Sequence, residues 1–287
     1  MLLATRWFGS RCRELGEQLA EAAAQGFHGV AMLPDTRPSE WDGGASRRGG
    51  PEVGAASWDL LVPLPAQEPP ARCWRLERVP EVLAALHATG CRRLLLPAGE
   101  DLDDARRARG RRILGRLQTE GSLQPDDEAL ATVRAADRLP LERQLEELAA
   151  LLHGLARRAP QLEVALVAHP SPAGLLDPAG FELLVAALGD AAPRLWFDTG
   201  TAEARAAAGL ERPGAWLDAW GARIAGAALH DWANGQGQLP PGAGVVDWTL
   251  VREYLPRDAI RVLDLAPSYP VGVLSEARAA LAAQQLA

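Results

Sequence analysis

Short apolar segments alternate with amphipathic helical segments along the 287 residues, and this alternation constrains the fold more than any other feature. Alternating strands and helices are typical of parallel sheets with crossover helices. Eight strand-like segments fit a closed (β/α)8 TIM barrel better than an open doubly wound sheet. The predicted strands are Leu2–Phe8, Gly29–Pro34, Ser57–Leu64, Arg92–Pro97, Leu162–His169, Arg194–Asp198, Ile224–Asp231 and Ala259–Leu265.

The same pattern predicts one domain that spans residues 1–287. No glycine-rich loop follows the first strand, which argues against a Rossmann fold and a nucleotide cofactor. The segment Asp35–Gly54 is rich in glycine, proline and serine. Because the loops that follow barrel strands lie at the barrel mouth, we expect this segment to be a mobile loop there.

Composition narrows the classes of function. The net charge is −7 and the pI is about 5.4, which disfavours nucleic-acid binding. All 30 basic residues are arginine, so Schiff-base chemistry, a P-loop lysine and a lysine base are excluded. The three cysteines are widely spaced, and we find neither a signal peptide nor an apolar run of 18 residues. We therefore expect a reduced, cytoplasmic protein without a membrane segment.

In four of the predicted strands the last inward residue near the carboxyl end is polar. Because side chains alternate across a strand, His169, Asp198, His230 and Asp264 each share the inward face of their strand. Chemistry in TIM barrels takes place at the carboxyl ends of the strands. These four side chains are therefore predicted to meet at one barrel mouth.

The region Leu162–Leu265 resembles the xylose isomerase-like sugar isomerase/epimerase superfamily. That resemblance implies one divalent ion held by a glutamate, an aspartate, a histidine and a glutamate from strands five to eight, with the glutamates as the acid/base pair. Asp198 and His230 match the aspartate and the histidine, and Asp264 stands at the second glutamate position, one methylene shorter. Val167 stands at the first glutamate position and offers no ligand atom.

These departures disfavour the activities best known in the superfamily. Epimerisation through a carbanion needs bases on opposite faces of one carbon, and Val167 removes one of them. Thr201 stands where a histidine usually follows the strand-six aspartate by three residues. Xylose isomerases use a lysine, and this chain has none. The related endonucleases use many histidines, whereas this chain contains five in total.

The polar strand ends leave two interpretations open. His169, Asp198, His230 and Asp264 would form a metal site with two imidazoles and two carboxylates, which suits Mn²⁺, Fe²⁺ or Zn²⁺ better than Ca²⁺ or Mg²⁺. Alternatively, His230 hydrogen-bonds Asp198 directly and the pair is a structural polar plug.

Three further residues are candidates for substrate binding. Trp7 ends the first predicted strand and Trp232 follows His230, so both are candidate aromatic walls for a sugar-like ring. Packing against neighbouring loops explains a tryptophan equally well. Glu100 follows the fourth strand and is either a mouth residue or a surface carboxylate.

Two functional hypotheses follow. The first is an isomerase/epimerase-like or lyase-like enzyme that binds a small polyhydroxylated or keto-acid ligand, with Asp264 and His230 as catalytic residues and a divalent metal. The second is a catalytically inactive descendant that binds a ligand or docks a partner protein, with Asp35–Gly54 covering the mouth. The resemblance also suggests a homodimer.

Overall fold

The computed structural model of the protein describes residues 1–33, 51–57, 61–63, 72–101, 103–121, 123 and 139–287, and gives only the backbone for 61–63, 72–74 and 139–140. Its strands fall into a barrel and two hairpins. The strands are β1 (Leu2–Ala4), β2 (Gly29–Met32), β3 (Glu52–Ser57), β4 (Leu61–Pro63), β5 (Arg72–Trp74), β6 (Arg93–Pro97), β7 (Glu163–Val167), β8 (Arg194–Asp198), β9 (Ile224–Leu229), β10 (Asp231–Ala233), β11 (Gln236–Leu239) and β12 (Ile260–Leu263).

Eight of these strands form a closed barrel in the order β1-β2-β3-β6-β7-β8-β9-β12. Every neighbouring pair is parallel, and β12 returns to pair with β1. The predicted (β/α)8 barrel is confirmed. Because all strands point the same way, their carboxyl ends meet at one mouth.

Helices cover the outside of the barrel. Their apolar faces and the outward side chains of the strands form one large buried cluster, as expected when a two-layer fold buries both elements. The α-helices among the described residues are α1 (Leu15–Ala24), α2 (Val79–Thr89), α3 (Asp104–Glu120), α4 (Leu139–Arg158), α5 (Pro178–Leu188), α6 (Thr199–Ala207), α7 (Pro213–Trp220), α8 (Trp248–Tyr254) and α9 (Val271–Ala283). No helix among the described residues combines the length and the apolar character needed to cross a bilayer.

The third strand was predicted wrongly. The prediction took Ser57–Leu64, whereas the barrel uses Glu52–Ser57, and Leu61–Pro63 pairs instead with Arg72–Trp74 in a hairpin. The barrel strand has small residues because its neighbours need the space. A Cβ on Gly54 would lie 2.3 Å from the Leu2 side chain. The prediction chose the segment after β3 because that segment is more apolar.

The predicted mobile loop Asp35–Gly54 lies mostly outside the described residues. Its last three residues, 52–54, belong to β3 rather than to a loop, so the predicted boundary is wrong at that end.

Side chains fill the barrel below its mouth. Trp196 on β8 is the largest of them and is 2% exposed. A Cβ on Gly226, on the neighbouring strand β9, would lie 2.4 Å from the Trp196 ring, so only glycine leaves room for it. The barrel is therefore a packed core, and the space for a ligand lies above this layer.

Candidate functional site

A cavity of about 430 Å³ opens at the carboxyl ends of the strands. Its volume lies within the range of small-molecule sites in proteins. Its polar lining residues are Arg6, Gln118, His169, Asp198, Thr201, His230, Gln238 and Asp264. Its larger apolar lining residues are Leu33, Leu95, Pro97, Leu114, Leu117, Val167, Trp196 and Trp232.

Three of the four predicted strand-end residues meet in this cavity. The side-chain ligand atoms of Asp198, His230 and Asp264 lie within 4.8 Å of one another. Asp198 is the last residue of β8, His230 follows β9 directly, and Asp264 follows β12 directly. They converge because β8, β9 and β12 are adjacent parallel strands with inward positions in phase.

His230 is hydrogen-bonded on both ring nitrogens and is 4% exposed. Its Nε2 lies 3.0 Å from Asp198 Oδ1. Its Nδ1 accepts the backbone N–H of Gln238 at 2.8 Å and lies 3.2 Å from the Asp231 carbonyl oxygen. The direct contact between His230 and Asp198 that one interpretation predicted is present.

Local structure fixes both members of this pair. Asp198 is the N-cap of α6 and accepts the Thr201 N–H at 2.7 Å. Gly200 leaves room for the imidazole, since a Cβ there would lie 2.0 Å from His230 Cε1. The Thr199 hydroxyl lies 2.6 Å from the His230 carbonyl oxygen, to which it donates.

The hairpin β10–β11 brings Gln238 to the ring, and the buried Asp231 holds the loop that follows it. The Asp231 carboxylate is fully buried and accepts the backbone N–H groups of Trp232, Gly242 and Val246 at 2.9–3.0 Å. Asp231 is not among the residues predicted from the sequence. Its role is to position the loop beside the mouth.

Opposing influences set the charge of the pair. Burial disfavours charge on His230, but the Asp198 carboxylate, its hydrogen bond and Asp264 outweigh this and raise the pKa of His230 to about 9. Burial also disfavours charge on Asp198, but His230 outweighs it and lowers the Asp198 pKa. These charges therefore favour imidazolium and carboxylate, whereas the Gln238 N–H at Nδ1 favours the neutral ring.

The donor set has the chemistry of a site for Mn²⁺, Fe²⁺ or Zn²⁺, so these three residues could together hold a metal ion. The hydrogen bonds of the ring do not fit that use. A metal on Nε2 needs a lone pair there and the proton on Nδ1. The carboxylates favour the imidazolium, and the Gln238 N–H favours the neutral ring with its proton on Nε2. In both forms Nε2 carries a proton.

Arg6 is a cavity residue that the sequence analysis missed. Its Nη1 lies 3.8 Å from Asp264 Oδ2, and the Asp264 side chain is 2% exposed. In the first strand Leu2 and Ala4 face the barrel interior. Alternation within the predicted strand Leu2–Phe8 puts Arg6 on the same face, so the sequence carried this signal, although in the structure Arg6 lies in the turn after Ala4.

His169 lines the cavity but lies outside the group of described residues that converge within 4.8 Å. Strand β7 ends at Val167, two residues earlier than predicted, so inward alternation does not extend to His169. Its Nδ1 accepts the Ser171 N–H at 3.1 Å. Its predicted role as a fourth ligand is not supported by this placement.

Glu100 is not among the cavity-lining residues. It forms a backbone bridge with Gly174, and its Oε1 lies 3.9 Å from His169 Nδ1. It therefore lies behind His169, and a direct contact between Glu100 and a ligand in this cavity is not expected.

The two tryptophans differ. Trp7 does not line the cavity: it is 1% exposed, and its Nε1 donates to the Tyr269 carbonyl at 3.1 Å. The predicted strand breaks at Ala4 into a 3₁₀ turn, Thr5–Phe8, which places Trp7 in the core. Trp232 lines the cavity as predicted.

No protein-family model and no curated protein matches the chain by sequence. Solved structures match over nearly its whole length. The 3-keto-D-glucoside 4-epimerase YcjR from E. coli has a TM-score of 0.62 and 14% identity, covering 100% of this chain and 98% of that one. The probable 3-DHS dehydratase AsbF from Bacillus anthracis has a TM-score of 0.65 and 13% identity, covering 98% and 99%.

The IOLI protein, whose structure holds a zinc atom, has a TM-score of 0.60 and 13% identity, covering 100% of this chain and 97% of that one. Likeness at this level of identity establishes the fold. The chain thus shares the fold of the xylose isomerase-like TIM barrels, as its strand ends predicted.

Proposed function

We propose that the protein is a sugar isomerase/epimerase-like barrel that binds a small polyhydroxylated or keto-acid ligand and moves a proton with Asp264 and His230. The observation that carries this proposal is the convergence of Asp198, His230 and Asp264 within 4.8 Å at the ligand-sized cavity. Buried titratable groups that meet in a cleft are the usual mark of acid/base chemistry.

The roles follow from what each group can hold. Asp264 is a buried carboxylate and serves as the base that takes a proton from a carbon beside a carbonyl group. His230 carries a proton on Nε2, which faces Asp198 Oδ1 at 3.0 Å, and a ligand oxygen that replaces this acceptor would receive the proton. Trp232 provides apolar surface beside the ligand.

The placement of these groups limits the reaction. Asp198, His230 and Asp264 come from three adjacent strands, whereas Val167 and Leu95 line the cavity from β7 and β6. Among the described residues, the cavity therefore offers no second carboxylate on the side of Val167. A reaction that needs one base, such as a 1,2-isomerisation or a lyase step, fits this placement better than epimerisation with two bases.

A second candidate is a ligand-binding protein without catalysis. It is favoured by Val167 in the first glutamate position and by the cap bond between Thr201 N–H and Asp198, which gives the carboxylate a structural role. Both candidates use the same cavity and the same ligand classes.

Proton exchange at carbon separates the two candidates. The protein would be incubated in D₂O with a panel of aldoses, ketoses and keto acids, and the loss of C–H signals followed by proton NMR. We expect exchange with at least one ligand, and a loss of about 100-fold or more in Asp264→Asn and His230→Gln, as is usual for removal of a general acid or base.

His87 is exposed on α2 and away from the mouth, so His87→Gln is the matched control and should keep full exchange. A ligand that raises the melting temperature but shows no exchange of its C–H protons would favour the second candidate, a ligand-binding protein without catalysis. Exchange that survives in both site variants would contradict the proposal.

A further inference from the structure

The charges in the cavity are already arranged in pairs. Asp198 lies against His230, and Asp264 lies against Arg6, whose Nη1 is 3.8 Å from Oδ2. Each carboxylate thus has a basic side chain beside it. A divalent ion would add two positive charges next to a guanidinium that cannot lose its own.

The chain holds Arg6 in this position firmly. Arg6 lies in the 3₁₀ turn Thr5–Phe8, and the next two residues, Trp7 and Phe8, are at most 1% exposed. The turn closes through the Gly9 N–H, which donates to the Arg6 carbonyl at 3.1 Å. Gly9 has φ +53°, a conformation that favours glycine.

We propose that the Arg6 guanidinium takes the electrostatic role of a divalent metal at this site, so that the barrel binds and polarises its ligand without a metal ion. Arg6 would donate to a carbonyl or carboxylate oxygen of the ligand while it also faces Asp264. A guanidinium has five N–H donors in a planar fork, enough for two acceptors at once. The ligand contact rests on the proposed function; the metal independence does not.

Two other observations support this inference independently of Arg6. The Gln238 N–H at His230 Nδ1 favours a proton on Nε2, the atom that faces Asp198. Val167 lines the cavity with an aliphatic side chain where the resemblance places a glutamate ligand. The three observations concern different elements of the barrel and point to the same conclusion.

Metal titration tests the inference directly. Wild type, Arg6→Gln and Arg6→Lys would be titrated with Mn²⁺ and Zn²⁺ by calorimetry, and their melting temperatures measured with each ion and with EDTA. We expect wild type and Arg6→Lys to show no saturable one-to-one binding and no shift. Arg6→Gln, which leaves two carboxylates beside one imidazole, should bind one ion at least about 10-fold more tightly than the weakest binding that the titration can detect, with a matching rise in melting temperature.

Arg157→Gln at the exposed carboxyl end of α4 is the matched control, since it removes the same charge from a residue that does not line the cavity. Saturable binding of one ion to wild type would overturn the inference. So would a folded Arg6→Gln variant with no gain in metal affinity.

The same experiments separate this inference from the proposed function. Proton exchange that is abolished by EDTA and restored by Mn²⁺ would keep the proposed function and reject the role of Arg6. Absence of ligand binding and exchange in wild type would reject the proposed function, while the titration of Arg6→Gln would still decide the metal question.

Discussion

The two sides of the cavity differ in chemistry although both are built from strand ends of one barrel. The side formed by β8, β9, β12 and the turn after β1 carries Asp198, His230, Asp264 and Arg6. The side formed by β2, β6, β7 and α3 carries mainly aliphatic residues and proline, namely Leu33, Leu95, Pro97, Leu114, Leu117 and Val167, with Gln118 and His169 as its polar residues. We call these the charged wall and the apolar wall.

The difference shows where chemistry can take place in this barrel. A ligand in the cavity meets both carboxylates and His230 on one face and mainly apolar surface on the other, so a carboxylate base is available on one face only among the described residues. The apolar wall also lowers the local dielectric, which strengthens the interactions among the buried charges opposite. The two walls therefore act together, one by reacting and one by excluding water.

The largest expected effect tests how rigidly the charged wall is built. Gly200→Ala places a methyl group 2.0 Å from His230 Cε1 and 2.5 Å from Nδ1, and hydrogen bonds to Asp198 and Gln238 hold that ring. We expect a loss of roughly 2–3 kcal/mol in the free energy of unfolding, as for overpacked cores. Urea denaturation measures it.

Gly115→Ala on α3 is the matched control, because no heavy atom lies within 4 Å of the added methyl group. Replacing a helical glycine by alanine there should stabilise the protein by up to about 1 kcal/mol. A stabilising Gly200→Ala would show that the His230 ring has room to move and that the charged wall is not fixed.

The second prediction concerns the ion pair. Asp198→Asn keeps the helix cap and an acceptor for His230 but removes the charge, and should cost about 2 kcal/mol near pH 6, as for a hydrogen bond between charged groups. Because the pKa of His230 is raised, the ion pair makes its full contribution to the free energy of unfolding below the ordinary histidine pKa of 6.5. This contribution is lost as the pH rises through about 9. Because the pKa of Asp198 is lowered, the same contribution is also lost at acid pH, as the pH falls below the ordinary aspartate pKa of 3.8.

The difference between wild type and Asp198→Asn in urea denaturation should thus be larger at about pH 6 than at about pH 9.5. A difference that stays constant over this interval would mean that His230 is neutral throughout, with the Gln238 N–H determining its state. That result would leave the charged wall with fewer charges than we infer.

Much of this site was predictable because strand alternation is a local rule. The bounds of β8, Arg194–Asp198, agree with the prediction, since Pro193 precedes the strand and the polar residues Thr199–Thr201 follow it. Alternation correctly predicted that three side chains point into the barrel mouth, because Asp198, His230 and Asp264 each end a strand or directly follow one. The eight-fold alternation likewise specified the barrel.

The errors arose where a strand ends earlier than its apolar pattern. The prediction extended the first strand to Phe8 and chose Trp7 at its end, whereas β1 stops at Ala4 and the chain turns. Strand β7 stops at Val167, whereas the predicted strand continued for two more residues to His169. The Trp7 side chain donates to the Tyr269 carbonyl, a partner far away in the sequence, and the Ser171 N–H bonds the His169 ring in the turn after β7. No local pattern encodes the long-range partner of Trp7.

The smallest expected effect tests the apolar wall. Val167→Glu restores a carboxylate at the position where the resemblance implies one, and Val167→Gln is its uncharged control. Because the new carboxylate would meet aliphatic neighbours and share the cavity with Asp264 and Asp198, we expect its pKa to rise by about one unit, which corresponds to about 1.4 kcal/mol.

A raised pKa in an acid favours its neutral form in the folded protein. The two variants should therefore be equally stable near pH 4, and the glutamate variant should become the less stable one as pH rises to about 8. Urea denaturation at both pH values measures this difference. A glutamate variant that is the more stable one at pH 8 would mean that Arg6 and His230 dominate the potential across the cavity. In that case the positive potential of the charged wall would extend to the apolar wall. The two walls would then differ in shape but not in electrostatic potential.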